Sequence, residues 1–244
     1  MSSAMPKPTH AQVVSVAATL PALVLVVGQQ VLPFSVKCLL AQTAIGGFAV
    51  ALASTKSLAK RTTRLLGKSA RTGAIALIPF LAFFPFSAAI RTKLLLRRRH
   101  GSEPLYSKVT GGYYIGGWPH EQGALPEEDA AVVDCTCELP RAHKNPYLCC
   151  LTWDTHSPSC ESYDKGVEFA LKQRRDLGRS VLVHCAHGHG RSAAMLSAIL
   201  IAEGMADSID EAEAMIKAKR PRVRLNANQR EGLALWLSQR SKKA

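Results

Sequence analysis

Twelve residues constrain this chain more than any others: Val181-Leu-Val-His-Cys-Ala-His-Gly-His-Gly-Arg191-Ser192. Ser180 to Val183, following Gly178-Arg179, is an apolar, β-branched run that reads as a short buried strand. Gly188 and Gly190 permit a tight loop, and Ala193 to Ile201 continues as a helix in apolar surroundings. Strand, glycine-bearing loop and helix N-terminus make an anion site, because backbone N–H groups converge there and the helix dipole favours negative charge. Cys185 stands at the strand end and Arg191 six residues on. Such surroundings bring a thiol from about 8.5 to roughly 3.5–7.5, so Cys185 is expected as a thiolate. The planar fork of Arg191 suits two oxygens of a phosphate. The five residues between them, Ala186, His187, Gly188, His189 and Gly190, let the loop curl around one tetrahedral anion.

Charge divides the rest of the chain. Residues 1–100 hold 13 Lys and Arg and no Asp or Glu, whereas residues 101–244 hold 18 of each. The whole net charge of +13 therefore lies in the first hundred residues. Two unlike regions follow: a basic, hydrophobic anchoring region over 1–100 and a neutral catalytic region over 101–244, with the boundary at Gly101–Pro104. The neutral half does not suggest nucleic-acid binding. A half that is apolar as well as cationic favours a membrane partner.

Three apolar runs carry that expectation. Residues 12–32 are free of charge and reach the roughly 20 residues that a bilayer span needs. Residues 38–54 are shorter and rich in Ala and Gly; residues 73–90 contain Pro79 and Pro85. A secretory signal fits poorly, because the start is not strongly basic and more apolar runs follow. With one Lys and no Arg in the first twenty residues, an organellar presequence fits no better. Basic clusters flank the third run on both sides, Lys56 to Arg71 before it and Arg91 to Arg99 after it. The positive-inside rule cannot satisfy both if that run spans. The preferred arrangement is a hairpin of the first two runs and a third segment that is re-entrant or lies on the surface, kinked at its prolines; the alternative is three spans. In either, Arg97-Arg-Arg-His100 lies at the membrane surface and draws the protein towards anionic lipid.

In the second half, strands are predicted at Tyr106–Thr110, Tyr113–Ile115, Ala131–Cys135 and Tyr147–Thr152, and a helix at Cys160–Leu177. The segment Asp134-Cys-Thr-Cys-Glu138 follows the third of these strands. Ser208-Ile-Asp-Glu211 reads as a capping box opening a helix to about Lys219, and a last helix runs from Ala227 to Gln239. Alternating strands and helices argue an α/β fold, a central, mostly parallel sheet flanked by helices.

The pattern His184-Cys185, five residues, Arg191-Ser192 resembles the signature of the cysteine-dependent protein tyrosine and dual-specificity phosphatases. Tyr113-Tyr-Ile-Gly-Gly117 and the Arg220-Pro…Leu225-Asn226…Gln segment resemble the start and end of that domain, so the likeness covers about residues 104–241. It implies phosphate monoester hydrolysis in two steps. Cys185 attacks phosphorus, Arg191 and the loop amides hold the oxygens, and water then hydrolyses a phosphocysteine. In the family an acid on a mobile loop, about thirty residues before the cysteine, protonates the leaving oxygen. Asp154, 31 residues before Cys185, is that candidate, with Asp164 as runner-up. The resemblance also implies that Ser192 supports the leaving thiolate and that His184 orients the loop. It requires no metal and no cofactor.

The substrate is expected to be a phosphorylated lipid or a phosphoprotein, with a lean to lipid. Partial protonation of His187 and His189 would attract a polyanionic headgroup, and His189 stands where some lipid-directed relatives have Lys. Seven cysteines and a thiolate suit a reducing compartment, the cytosol or an organelle-facing equivalent, with Cys135 or Cys149 as candidates for a resolving thiol. A pseudophosphatase and a sulfur-transfer enzyme are the competing classes. Hydrolysis abolished by Cys185→Ser separates both.

Overall fold

Residues 9–242 are described by the structure, a computed structural model. The first eight residues of the expected anchoring region and the last two of the catalytic region lie outside the described residues.

Two apolar helices come first, α1 (His10–Val27) and α2 (Phe34–Ala53), joined by the turn at 28–33. Ala18 packs on Gly47, where a Cβ would lie 2.7 Å from that of Ala18, and Val14 reaches the cluster around Val50. The pair is therefore an antiparallel hairpin held by close backbone approach. Both helices are long and apolar enough to cross a membrane. Their outer faces expose Val16, Leu20, Val26, Phe34 and Ile45, which no other part of the protein covers among the described residues.

The third apolar run does not make one helix. It divides into α3 (Leu77–Ala82) and α4 (Phe84–His100), with the break at Phe83. Pro85 causes the break: it has no N–H for the carbonyl of Leu81, and its ring would collide with that carbonyl in a continuous helix. Gln42 of α2 takes over, donating from Nε2 to the carbonyls of Leu81 at 2.6 Å and Ala82 at 3.3 Å.

Between the hairpin and α3, residues 54–76 run in turns over the second half. Ala59 and Leu66 join Cys137 and Trp153 in one buried cluster, and Gly73 accepts from the Arg141 backbone N–H at 3.0 Å. Contacts of this kind cross the boundary expected at residue 101.

The sheet has the order β1-β2-β5-β3-β4, built from β1 (Tyr106–Thr110), β2 (Tyr113–Gly116), β3 (Ala131–Asp134), β4 (Tyr147–Cys149) and β5 (Val181–His184). The first pair is antiparallel about Gly111-Gly112, and every other pairing is parallel. This is the mixed, mostly parallel α/β sheet expected. Helix α5 (Cys160–Arg175) connects β4 to β5, and α6 (Arg191–Glu203), α7 (Ile209–Lys219) and α8 (Ala227–Ser241) follow β5. Val181, Leu182 and Val183 are wholly buried between them, each contributing about 1.5–3 kcal/mol.

Two expectations are trimmed. The strand expected over 147–152 stops at Cys149, where the chain leaves the sheet as a loop. Only half of the capping box forms: Ser208 Oγ accepts from Glu211 N at 3.1 Å, but the Glu211 carboxylate accepts from Asp207 N. The register sets Asp134 beside His184 at the carboxyl ends of adjacent strands, where open α/β sheets bind ligands.

Candidate active site

Cys185 follows β5 and is 4% exposed at the floor of the loop 185–191. Gly188 holds φ +78°, and a Cβ there would come within 2.5 Å of the Gly116 carbonyl carbon, so only glycine lets the loop close over β2. The turn aims the Gly188 N–H at Cys185 Sγ at 3.2 Å, while Ser192 Oγ donates to the same sulfur at 3.3 Å. Burial by itself would raise the thiol pKa. The Arg191 guanidinium and the Ser192 hydrogen bonds outweigh it and bring the pKa below the ordinary value.

Arg191, the first residue of α6, is 1% exposed. One edge of its guanidinium grips Glu138 at 2.9 and 2.7 Å, and Nη1 also donates to the Thr152 carbonyl at 2.9 Å. Its Nε is buried without a hydrogen-bond partner among the described residues, although it forms an ion pair with Asp154 Oδ1 at 3.3 Å. The clamp thus fixes the guanidinium plane while leaving the Nε edge unsatisfied.

Asp154 lies on the loop after β4, its side chain half exposed. Burial opposes its ionisation, but Arg191 outweighs burial and holds the carboxyl below the usual range. The loop carries Thr155 at φ +64° and is fastened from two directions. Asn226, the N-cap of α8, donates to the Thr155 carbonyl at 2.9 Å. From the first hundred residues, Thr62 Oγ1 accepts from Trp153 Nε1 at 3.2 Å and the Ser54 carbonyl meets His156 Nε2 at 2.8 Å. The His10 N–H also reaches Thr155 Oγ1 at 3.4 Å.

His184 is buried, with Nδ1 3.2 Å from the Cys185 carbonyl and Nε2 3.7 Å from Asp134. Burial lowers its pKa and keeps it neutral. Asp134 pairs with Lys68 at 2.6 Å, both side chains being sealed from water.

The fold therefore brings Cys185, Arg191, Asp154, Ser192 and His184 together, with Ala186 to Gly190 forming the loop. Asp164 is elsewhere: it lies on α5 and accepts from Trp236 Nε1 at 2.7 Å. The expected partial protonation does not hold for His187. Burial pushes His187 down to about 4 and also lowers His189, whose Nε2 is 2.8 Å from Glu103. Cys135 and Cys149 are buried, which raises their pKa, in Cys149 to about 12, so both are thiols. Among the described residues no cluster of three His, Cys, Asp or Glu side chains is placed to hold a metal ion.

Glu138, Asp134, Lys68, Thr62 and Asn226 were not singled out as site residues from the sequence. For Asp134 and Glu138 a signal existed, two acids closing a buried strand at its carboxyl end. For Lys68 none did, since it is one of six basic residues in the Lys56–Arg71 cluster.

Residues 116–239 match the family model for the dual specificity phosphatase catalytic domain, just over half of the chain. A stretch of 47 residues is 49% identical to human phosphatidylglycerophosphatase and protein-tyrosine phosphatase 1, spanning 19% of this chain and 23% of that protein. The chain therefore matches about a quarter of the length of this curated relative. The crystal structure of PTPMT1 in complex with PI(5)P is similar at 25% identity and a TM-score of 0.50, covering 57% of this chain and 99% of that one. A mouse dual specificity phosphatase structure, 23% identical with a TM-score of 0.51 over 59% of this chain and 93% of its own, shares the fold. With the loop of Cys185 and Arg191 inside the matched region, the chain belongs to the dual specificity phosphatase family.

Proposed function

We propose that this protein is a membrane-embedded phosphatase that hydrolyses a phosphorylated lipid through a phosphocysteine on Cys185. The observation that carries the chemistry is the guanidinium of Arg191, buried and locked by Glu138, with its Nε lacking a hydrogen bond and held only by the ion pair to Asp154, beside a depressed thiol. A phosphate dianion supplies the acceptors that edge lacks, and the N–H groups of the loop 186–190 hold its remaining oxygens. The thiolate attacks phosphorus in line with the ester oxygen. As phosphate takes the guanidinium, Asp154 loses its ionic partner, its affinity for a proton rises, and it protonates the departing oxygen. Water then attacks the phosphocysteine with Asp154 as base. Ser192 Oγ steadies the thiolate as it leaves. His184 stays neutral beneath the loop and fixes the Cys185 carbonyl.

The hairpin supports a lipid substrate. Its exposed aliphatic faces suit a bilayer core, and both its ends lie at the catalytic half. The break at Phe83 is level with Gln42, eleven residues from the end of α2, or about 16 Å at 1.5 Å per residue. Such a segment enters roughly half of a 30 Å hydrocarbon layer and returns. Both basic clusters then lie on one side, which meets the positive-inside rule, and the catalytic half faces a reducing compartment on that side. The human relative's name, a phosphatidylglycerophosphatase, and the PI(5)P bound to PTPMT1 point the same way.

The test is phosphate release by the full chain in lipid nanodiscs, from phosphatidylglycerophosphate, phosphoinositides and phosphopeptides in parallel, with Cys185→Ser as control. The expected result is lipid turnover well above peptide turnover, abolished in the variant. Preference for phosphopeptides would make the hairpin a tether, and hydrolysis surviving Cys185→Ser would remove the phosphocysteine.

A further inference from the structure

Lys68 is a buried ammonium that the chemistry above does not use. Its three protons all have acceptors: Asp134 Oδ2 at 2.6 Å, the Thr136 carbonyl at 2.9 Å and Thr136 Oγ1 at 2.9 Å. It lies 66 residues before Asp134 and outside the matched domain, yet what it grips leads to both halves of the site. Asp134 Oδ1 accepts from Thr136 N at 2.8 Å and Oγ1 at 2.7 Å, and lies 3.7 Å from His184 Nε2. His184 in turn meets the Cys185 carbonyl at 3.2 Å. After Thr136 the chain turns directly into Cys137 and Glu138, where Cys137 N donates to the carboxylate that clamps Arg191.

We propose that Lys68 is a positioning residue of the catalytic centre, a cation supplied by the first hundred residues that fixes the Asp134–Thr136 turn and through it the carrier of Cys185 and the clamp of Arg191. This rests on the reading that Cys185 is the nucleophile. The physical argument is the cost of an uncompensated buried charge. With Lys68 present, Asp134 stays ionised and His184 stays neutral. Without it, Asp134 faces His184 as its nearest cationisable neighbour. Tyr147, whose hydroxyl donates to Asp134 at 2.8 Å, and Cys149 remain neutral there, His143 is held down by burial to about 4, and the Glu138–Arg191 pair is internally balanced. Loss of Lys68 therefore raises the proton affinity of His184, one residue from the nucleophile, and the turn relaxes.

The experiment measures, on the full chain in detergent, the pH dependence of Cys185 alkylation by iodoacetamide, read by peptide mass spectrometry, together with kcat and KM. The variants are Lys68→Met, Lys68→Arg and the double variant Lys68→Met/Asp134→Asn. A single ionisation is expected in the parent. Lys68→Met adds a second ionisation, that of His184, and lowers kcat at least tenfold with little change in KM. Lys68→Arg restores the single ionisation, and the double variant removes the second ionisation while kcat stays low. A Lys68→Met profile that superimposes on the parent's, with kcat within threefold, overturns the proposal. Should Lys68→Met fail to fold, the double variant decides: folded and at least tenfold slower supports a positioning role, folded and fully active rejects it. A parent Cys185 that reacts no faster than free glutathione at pH 6 defeats the phosphocysteine reading instead, so the two failures are distinct.

Discussion

Arg191 meets Glu138, Thr152 and Asp154 before any substrate arrives, and each contact has a separate consequence. Glu138 and Thr152 fix the plane, whereas Asp154 sits on the edge that phosphate needs. Asp154 is held below the ordinary carboxylate range by that guanidinium, so the free enzyme carries it ionised at neutral pH. A general acid acts only when protonated; kcat/KM is therefore expected to fall as pH rises, from an optimum on the acidic side of neutrality. Asp154→Asn should abolish that alkaline limb and lower kcat by about 10²–10⁴-fold on an alkyl phosphate. A pH–rate profile in which the limb persists in Asp154→Asn assigns the acid elsewhere. Cys185 and Arg191 were legible because thiol and guanidinium stand at a strand end and a helix start, whereas Asp154 was singled out through the family resemblance. Glu138 was not: its place after a buried strand marks it as near the site, but its pairing with Arg191, 53 residues away, is a contact only the folded chain makes.

The loop after β4 shows how an element far away in sequence completes another. Trp153 is 1% exposed, and its indole N–H ends on Thr62, in the turns between α2 and α3. Thr62→Val keeps the shape and removes the acceptor, leaving a buried donor unpaired, which costs about 1–3 kcal/mol. The expected outcome is a lower thermal midpoint and a reduced kcat with KM nearly unchanged, since the loop carries the acid but not the phosphate cradle. Unchanged midpoint and kcat would mean the Trp153 loop is not fastened from this side. Most elements were visible beforehand through hydrophobic period and turn residues, among them β5, α6 and α8. What failed was length: β4 ends at Cys149 because the chain must leave the sheet there for Trp153 to reach the Ala59–Leu66 cluster. The third apolar run, expected to kink at its prolines, is broken at Phe83 by the ring of Pro85, and Gln42 satisfies the freed carbonyls.

For the whole molecule the consequence is that the region expected to anchor the enzyme also builds it. His10, Ser54, Thr62 and Lys68 all touch the catalytic half, so the hairpin and the site are mechanically one unit. With a re-entrant third segment, single cysteines placed by Ser57→Cys and by Arg99→Cys should both react with an impermeant maleimide from the side that carries the catalytic half. Reaction of the two from opposite faces of a sealed vesicle would establish three spans instead. The sequence by itself determined the phosphate loop, the family and the division of charge, because each depends on residues close together in the chain or on composition. Tertiary structure alone decided the course of the third apolar run, the clamp on Arg191 and the burial of Lys68. These depend on pairing across 39 to 66 residues, which apolarity and charge permit in many ways and packing permits in one.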